Sequence, residues 1–412
     1  PGTSSLNAGS WLTTDYGKVL NTFGNADFFA AKERYATTYD VKEEVTGAYL
    51  QLDFSKTLFD KDVRGNIGVR VIENTNTSAI VNLDHIYADG YTPGRGAGAN
   101  LPGGYGWRET VSESRDVLPS LNLAYDLTED LVARFSLAQA ITRPAIADLA
   151  SAIKVNTPDS KDPTATIELG AGPTLKPYES DQIDLALEWY FAEESLLALA
   201  VFYKDITGLS KGSAQEVFTR EQLQSMGIDL GDVDPSTITW DVTQLQNTPA
   251  EGVRGAEFIY QQPFSFLPEP FNAFGWQSNL TWIDYKRDIE DPFTGVVSSL
   301  LAEETSRLSY NATLYYEQDQ WSARISYNFR ERYIKEYLDK YKDEGSFGRG
   351  YEDKGQLNFS SRYQINKNLS LSFEALNLTN APTEQWSDVY TSRPVEYLLT
   401  GRQYLVGVRG SF

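Results

Sequence analysis

The sequence predicts an all-β chain, a membrane-spanning antiparallel barrel wall of about thirteen strands, and three observations carry that reading. Alternating segments have one apolar and one polar face, connections alternate between short and long, and Tyr and Trp are abundant although no long apolar run exists. The 412 residues include 25 Tyr and 8 Trp, rings with an apolar body and a polar tip that suit a membrane–water interface or a sugar-binding surface. No stretch of about 18 apolar residues occurs, so no transmembrane helix is expected; a barrel hides its apolar signal in every second residue. Cysteine is absent, which removes disulfides and thiolate metal sites, and the net charge of −21 argues against nucleic acid as a partner.

The alternation is explicit in "EDLVARFSLAQAI", where Leu131, Ala133, Phe135, Leu137 and Ile141 oppose Arg134 and Ser136. In "QWSARISYNFRER", Trp321, Ala323, Ile325, Tyr327 and Phe329 oppose Arg324, Asn328 and Arg330. Leu357, Phe359, Tyr363 and Ile365 likewise oppose Gln356, Asn358, Ser360 and Arg362. A dry sandwich core could not hold the polar sets, and water would not tolerate the apolar ones. Lipid is expected on one side and a wet lumen on the other.

Strands are expected near 44–57, 64–77, 108–126, 131–142, 179–191, 195–207, 240–263, 271–288, 306–317, 320–334, 352–365, 368–379 and 400–412. "LFDKDV", "DLTEDL", "YFAEES", "EQDQ" and "INKN" are short turns, with "PFSFLPEPF" somewhat longer. Long stretches at 143–178, 208–239, 289–305, 335–351 and 380–399 lie between them. Short turns on a periplasmic rim and long loops outside is the arrangement of an outer-membrane barrel. Residues 1–43 are expected as one long extracellular loop and 44–412 as barrel.

The closing "TGRQYLVGVRGSF" puts Tyr404, Val406, Val408 and Phe412 on one face. A last strand ending on an aromatic residue resembles the sorting signal read by the bacterial barrel-assembly machinery. Gly407 and Phe412 fit that signal, whereas Gly410 stands where an apolar residue is usual.

Several segments resemble the TonB-dependent receptor family. They are "VKEEVTGAYLQLDFSKTLFDKDVRGNIGVRVIENT" at 41–75, "AQAITRPAIADL" at 138–149, "LKPYESDQIDLALEWYF" at 175–191, "EGVRGAEFIYQQPF" at 251–264 and "LSFEALNLTNAP" at 371–382, together with the closing strand. The resemblance implies an energised outer-membrane transporter with a roughly 22-stranded barrel, an amino-terminal plug and a TonB box through which the inner-membrane complex pulls. No plug-like or TonB-box segment occurs in these residues, so the chain is expected to be the carboxyl-terminal barrel part, with about nine further strands upstream to remove open edges. Implied partners are outer-membrane lipid and lipopolysaccharide, the protein's own plug, the TonB complex and the nutrient. The resemblance is to long-looped members linked to carbohydrate uptake.

Inward-facing charges are the first candidate site. Arg70, Arg134, Arg324, Arg362 and Arg409 alternate inward with Asp53, Glu188, Glu257 and Glu374, and could hold the plug, line a solute path, or simply pair along the wall. Aromatics in the long loops, Trp11, Tyr16, Tyr91, Tyr105, Trp107, Trp386 and Tyr390, with Arg393, are the substrate candidates, because flat rings stack on sugars; loop packing or an interfacial girdle would use the same residues. The lone His85 has no second histidine for a zinc site, and "GAGANLPGGYG" at 96–106 lacks phosphate-loop spacing, so neither an enzyme nor a cofactor is expected. Acidic runs at 229–234, 288–292 and 339–345 could take calcium but match no EF-hand loop, and solvated loops explain them. The expected function is active uptake of a scarce nutrient, leaning to an oligosaccharide. A siderophore or other metal-chelate receptor, or a passive porin-like or structural outer-membrane barrel, are the alternatives.

Overall fold

The computed structural model describes residues 39–81, 107–151, 153–156, 165–225, 234–291, 294–337 and 347–411. Alternation becomes strand throughout. β1 (Tyr39–Leu58) and β2 (Lys61–Val81) form a hairpin, followed by β3 (Trp107–Asp126) and β4 (Leu131–Thr142). The next loop carries β5 (Ile153–Asn156) and β6 (Ala165–Leu169), and the wall resumes with β7 (Tyr178–Ala192), β8 (Ser195–Glu216), β9 (Trp240–Pro263) and β10 (Phe274–Glu290). β11 (Val297–Leu301) precedes β12 (Leu308–Gln318) and β13 (Trp321–Arg330); β14 (Tyr333–Glu336) and β15 (Arg349–Tyr351) precede β16 (Lys354–Asn366) and β17 (Leu369–Leu376). β18 (Thr383–Ser387) and β19 (Arg393–Leu398) lie before the last strand, β20 (Gln403–Gly410).

Thirteen of these strands pair in the order β1-β2-β3-β4-β7-β8-β9-β10-β12-β13-β16-β17-β20, every neighbour antiparallel. They are the thirteen segments expected from the sequence. β1 starts at Tyr39 rather than near 44, and several strands run well past the membrane, β8 and β9 most of all. The shorter strands sit in the long loops, where β14, β15, β18 and β19 make a separate four-stranded sheet.

The tightest turn shows how sequence fixes the short rim. Phe59 and Asp60 both adopt positive φ, 54° and 59°, the pair of left-handed residues a two-residue hairpin needs to match strand twist. Leu58 and Lys61 face each other across it, which sets the register of the whole β1–β2 ladder.

Lipid-facing positions follow from the pairing. On β7, Ile183, Leu185, Leu187, Trp189 and Phe191 share a face, with Asp181 above them. Phe191 to Ile183 spans about 26 Å along the strand at ~3.3 Å per residue, and about 20 Å along the membrane normal at a tilt of ~40°, close to the apolar band of an outer-membrane barrel. Near the short turns an aromatic chain crosses neighbouring strands: Trp189–Phe191 at 5.2 Å, Phe191–Tyr260 at 6.3 Å, Phe274–Tyr316 at 4.9 Å and Tyr316–Trp321 at 5.1 Å between ring centroids. Register places Tyr363 directly beside Trp321. Such a girdle is the interfacial belt that amphipathic rings favour.

Candidate functional site

The lumen wall carries both paired and single charges. Arg134 Nε donates to Glu188 Oε1 at 2.8 Å, and the Tyr190 hydroxyl donates to the other carboxylate oxygen at 2.8 Å. Arg324 Nη2 donates to Glu317 at 2.7 Å, and Arg64 holds Asp126. Arg70 lies 5.6 Å from the Tyr49 ring centroid, Arg324, Arg362 and Glu374 line one hollow, and Asp53 accepts from Gln51. Glu257 stands between Ala200 and Thr281, and Arg409 faces Ser370. Gly407 faces Ser372, whose Oγ would lie 2.6 Å from any added Cβ.

The segment between β4 and β7, expected as an extracellular loop, folds back onto the polar face of β2. Ser151 N–H donates to Ser78 Oγ at 2.9 Å, Asn76 Nδ2 reaches Pro173 O at 3.5 Å, and Asn74, Asn76 and Ser78 are buried. Asn247 on β9 clamps the same segment from the other side, accepting from Lys176 N–H and donating to Lys176 O, both at 3.0 Å. Alternation alone could not show this, because a polar lumen face reads the same whether water or chain covers it.

A second lobe rises on β8 and β9. β6 pairs in parallel with the top of β9, and Ala165, Ile167, Phe218, Leu223, Trp240 and Val242 form a buried cluster beneath a short helix, Arg220–Ser225.

The third element is the loop sheet, which holds the candidates Trp386 and Arg393, with Tyr390 in the connection between their strands. Trp386 is 3% exposed: its ring packs over Gly350, with the Arg332 guanidinium 4.9 Å from its centroid. In this arrangement Trp386 is a core residue of the sheet and its faces are covered, unlike the open stacking surface expected of it. A Cβ on Gly350 would meet Tyr333 O at 2.0 Å and the Trp386 ring at 2.4 Å, so this close approach requires glycine. Tyr390 is exposed and lies 5.9 Å from Phe347; Arg393 lies 3.8 Å from Asp388. Trp107 opens β3. Trp11, Tyr16, Tyr91, Tyr105 and Phe412 fall outside the described residues, as do His85, the glycine-rich 96–106 run and the acidic runs at 339–345 and most of 229–234.

Between the loop sheet and the wall lies a cavity of about 610 Å³ that sequence reasoning missed. Its wall side comes from two cross-strand rows on the lumen face. Ser309, Arg330 and Lys354 lie in register across β12, β13 and β16, and Asn311, Asn328 and Gln356 lie in register one step lower. Asn311 Nδ2 extends the amide row by donating to Asn279 Oδ1 at 3.2 Å. The loop sheet contributes Tyr333, Lys335, Tyr351 and Thr383, with the Tyr333 and Tyr351 rings 5.5 Å apart. Period-two reading of "RERYIKE" could not find it: the wall strand stops at Arg330, whose inward neighbours are even-numbered, and the cavity-lining Tyr333 and Lys335 of the loop strand are odd-numbered.

Above the apolar band, whose last member on β10 is Trp282, Glu251 accepts from the Tyr285 hydroxyl at 3.0 Å and from Arg287 Nε at 3.0 Å. Burial, then the Glu251 carboxylate, pushes the Tyr285 phenol up to about 12. Burial, with the Glu303 carboxylate nearby, also raises Tyr337. Among the described residues no group of three or more His, Asp or Glu could hold a metal ion.

A thirteen-strand antiparallel wall with an aromatic belt, a charged lumen and folded lobes on one rim sets the frame for comparison. The family described as TonB dependent receptor-like, beta-barrel matches residues 2–378. The chain belongs to the TonB-dependent receptor family. That family is one of outer-membrane receptors rather than enzymes. No curated protein matches the sequence. Solved structures with the same fold include a ferric enterobactin receptor mutant from Pseudomonas aeruginosa in complex with enterobactin, 17% identical with a TM-score of 0.54, covering 90% of this chain and 55% of that one. The siderophore receptor PirA from Acinetobacter baumannii is 14% identical with a TM-score of 0.53, covering 90% and 55%. The ferric-catecholate import receptor Fiu from Escherichia coli K12 is 16% identical with a TM-score of 0.54, covering 90% and 45%. This TonB-dependent receptor chain thus spans about half the length of those receptors.

Proposed function

We propose that the chain forms the lumen wall and outer mouth of an energised uptake receptor in the outer membrane of a Gram-negative bacterium, taking in a siderophore-type chelate. Family membership over residues 2–378 carries the receptor reading. The mouth supports it: three folded lobes stand on one rim, and the loop sheet roofs a cavity that opens on the lumen side of the wall. Solved relatives named for siderophores favour a chelate over the oligosaccharide expected from loop aromatics, and burial of Trp386 removes one of the rings on which that expectation stood. The wall residues orient and desolvate the ligand; no bond in it changes, and inward release draws on the TonB complex acting through the plug of the whole protein.

The test is uptake of radiolabelled ferric chelates, and in parallel of labelled oligosaccharides, by iron-starved cells carrying the whole receptor, with and without a functional TonB. Chelate uptake that requires both receptor and TonB is expected. Uptake that persists without TonB would indicate a passive barrel, and TonB-dependent uptake of an oligosaccharide alone would return the ligand to the sugar class.

A further inference from the structure

Three cations converge on the mouth cavity, and none has a carboxylate within 4 Å among the described residues. Arg330 and Lys354 are direct cross-strand neighbours on β13 and β16, and Lys335 faces them from the loop sheet. Like charges directly opposite each other on a sheet are destabilising unless something neutralises them. Their hydrogen bonds go to neutral oxygens instead. Arg330 Nε donates to Ser306 Oγ and Nη2 to Glu304 O, both at 2.7 Å, and Lys354 Nζ donates to Thr383 Oγ1 at 2.7 Å. The Arg330 guanidinium carbon lies over the Tyr333 ring, 3.6 Å from its centroid, and Lys335 Nζ is 5.9 Å from that of Tyr351. These contacts fix the positions of the cations without cancelling their charge. The rim acids Glu304, Glu352 and Glu384 share the cavity, but Glu352 turns to Arg332 at 3.8 Å and none pairs with these three.

We propose that Arg330, Lys354 and Lys335, backed by the Tyr333 and Tyr351 rings and the Asn311–Asn328–Gln356 amide row, form an anion-recognition site for a ligand bearing several negative oxygens. The inference rests on the receptor reading above and narrows it: the ligand is anionic, of the kind a ferric catecholate or an acidic oligosaccharide presents, and not a neutral ferric hydroxamate or neutral sugar. The fixed cations supply charge-assisted hydrogen bonds to the oxygens, the rings offer apolar faces to any flat part, and the amides read neutral edges.

The test uses the whole receptor, purified in detergent and titrated at low and high salt with four probes: a ferric tris-catecholate, an oligogalacturonate, a ferric trihydroxamate and a neutral maltooligosaccharide. The variants are Arg330→Gln, Lys354→Gln and the pair, with Arg324→Gln as a control lower on the wall. Retained heat-modifiable mobility on gels establishes that each barrel is assembled. One of the two anionic probes is expected to bind, and the two arms identify the source of the charge. Each cation removed should weaken that probe by about tenfold or more and flatten its salt dependence, with Arg324→Gln near wild type. Unchanged anion binding in the pair, or binding of a neutral probe alone, would overturn the anion assignment. TonB-dependent uptake in cells would still stand in that case, so failure here is distinguishable from failure of the receptor reading.

Discussion

Two levels of the same lumen wall treat positive charge differently. Low on the wall, Arg134 is held by Glu188 and Arg324 by Glu317. Arg362 and Arg409 stand singly there, as Arg70 does ten residues above the β1–β2 turn, each without a carboxylate within 4 Å among the described residues. At the mouth, on the same strand as Arg324 and three inward positions higher, Arg330 joins Lys354 and Lys335 around one cavity with no such partner. A water-filled barrel permits charge at either level, so solvation does not separate them. Clustering does: cations that are paired with a carboxylate or stand singly contribute to the wall, and three cations gathered around one cavity await something from outside.

The two levels share one inward face, and the largest expected effect reads which face of the wall meets lipid. Phe359→Arg places a charge against lipid and should abolish assembly, at a cost of about 2–4 kcal/mol, whereas Ser360→Arg on the lumen side should assemble. Heat-modifiable gel mobility of the two variants reads the difference, and the reverse ranking would invert the faces. The loop sheet is next. Gly350→Val drives a side chain into Tyr333 O and the Trp386 ring and should cost roughly 2 kcal/mol, opening the sheet to limited proteolysis while the barrel band stays intact. An unchanged digestion pattern would mean that Trp386 does not organise this lobe.

The paired level should respond weakly. Glu188→Gln, which frees Arg134, should change barrel stability in urea by no more than about 1 kcal/mol, since both groups meet solvent, and should leave ligand affinity unchanged. A loss of affinity comparable to that of Lys354→Gln would erase the distinction between the two levels. Smallest is a spectroscopic effect. The Tyr285 phenol, raised to about 12 from an ordinary 10, stays protonated in the folded protein while its unfolded counterpart ionises. Its stabilising contribution is therefore complete below pH 10 and is lost as pH rises toward 12. Ultraviolet titration should show a late-ionising tyrosine that disappears in Tyr285→Phe; an identical curve in the variant would remove the assignment.

Wall and site were legible to different degrees, for physical reasons. Period-two burial acts residue by residue, so Leu131 to Ile141 or Trp321 to Phe329 announce strand and face without any partner in view. Turn chemistry is equally local, as at Phe59–Asp60. Pairings between distant segments are not. Trp386 reads as an exposed loop aromatic until Gly350 and Arg332 close on it, and Ser78 reads as a wet lumen residue until Ser151 covers it. The cavity stayed hidden because its cations come from three segments, two strands of the wall and one of the loop sheet, and absence of a counter-charge is a property of space, not of sequence.

The lobe on β8 and β9 has a consequence of height. From Tyr260 in the inner aromatic belt to Trp240 in the buried cluster is about 66 Å along β9 at ~3.3 Å per residue, or about 50 Å along the membrane normal at a tilt of ~40°. The cluster therefore stands roughly 25 Å above an apolar band about 25 Å tall, among or beyond the sugars of lipopolysaccharide. A hydrophobic core at that elevation keeps its shape in water. To anything too large to enter the barrel, such as an antibody, a phage tail or a protease, this packed knob stands, among the described residues, at the outermost level, and its surface is free to vary without touching the wall below.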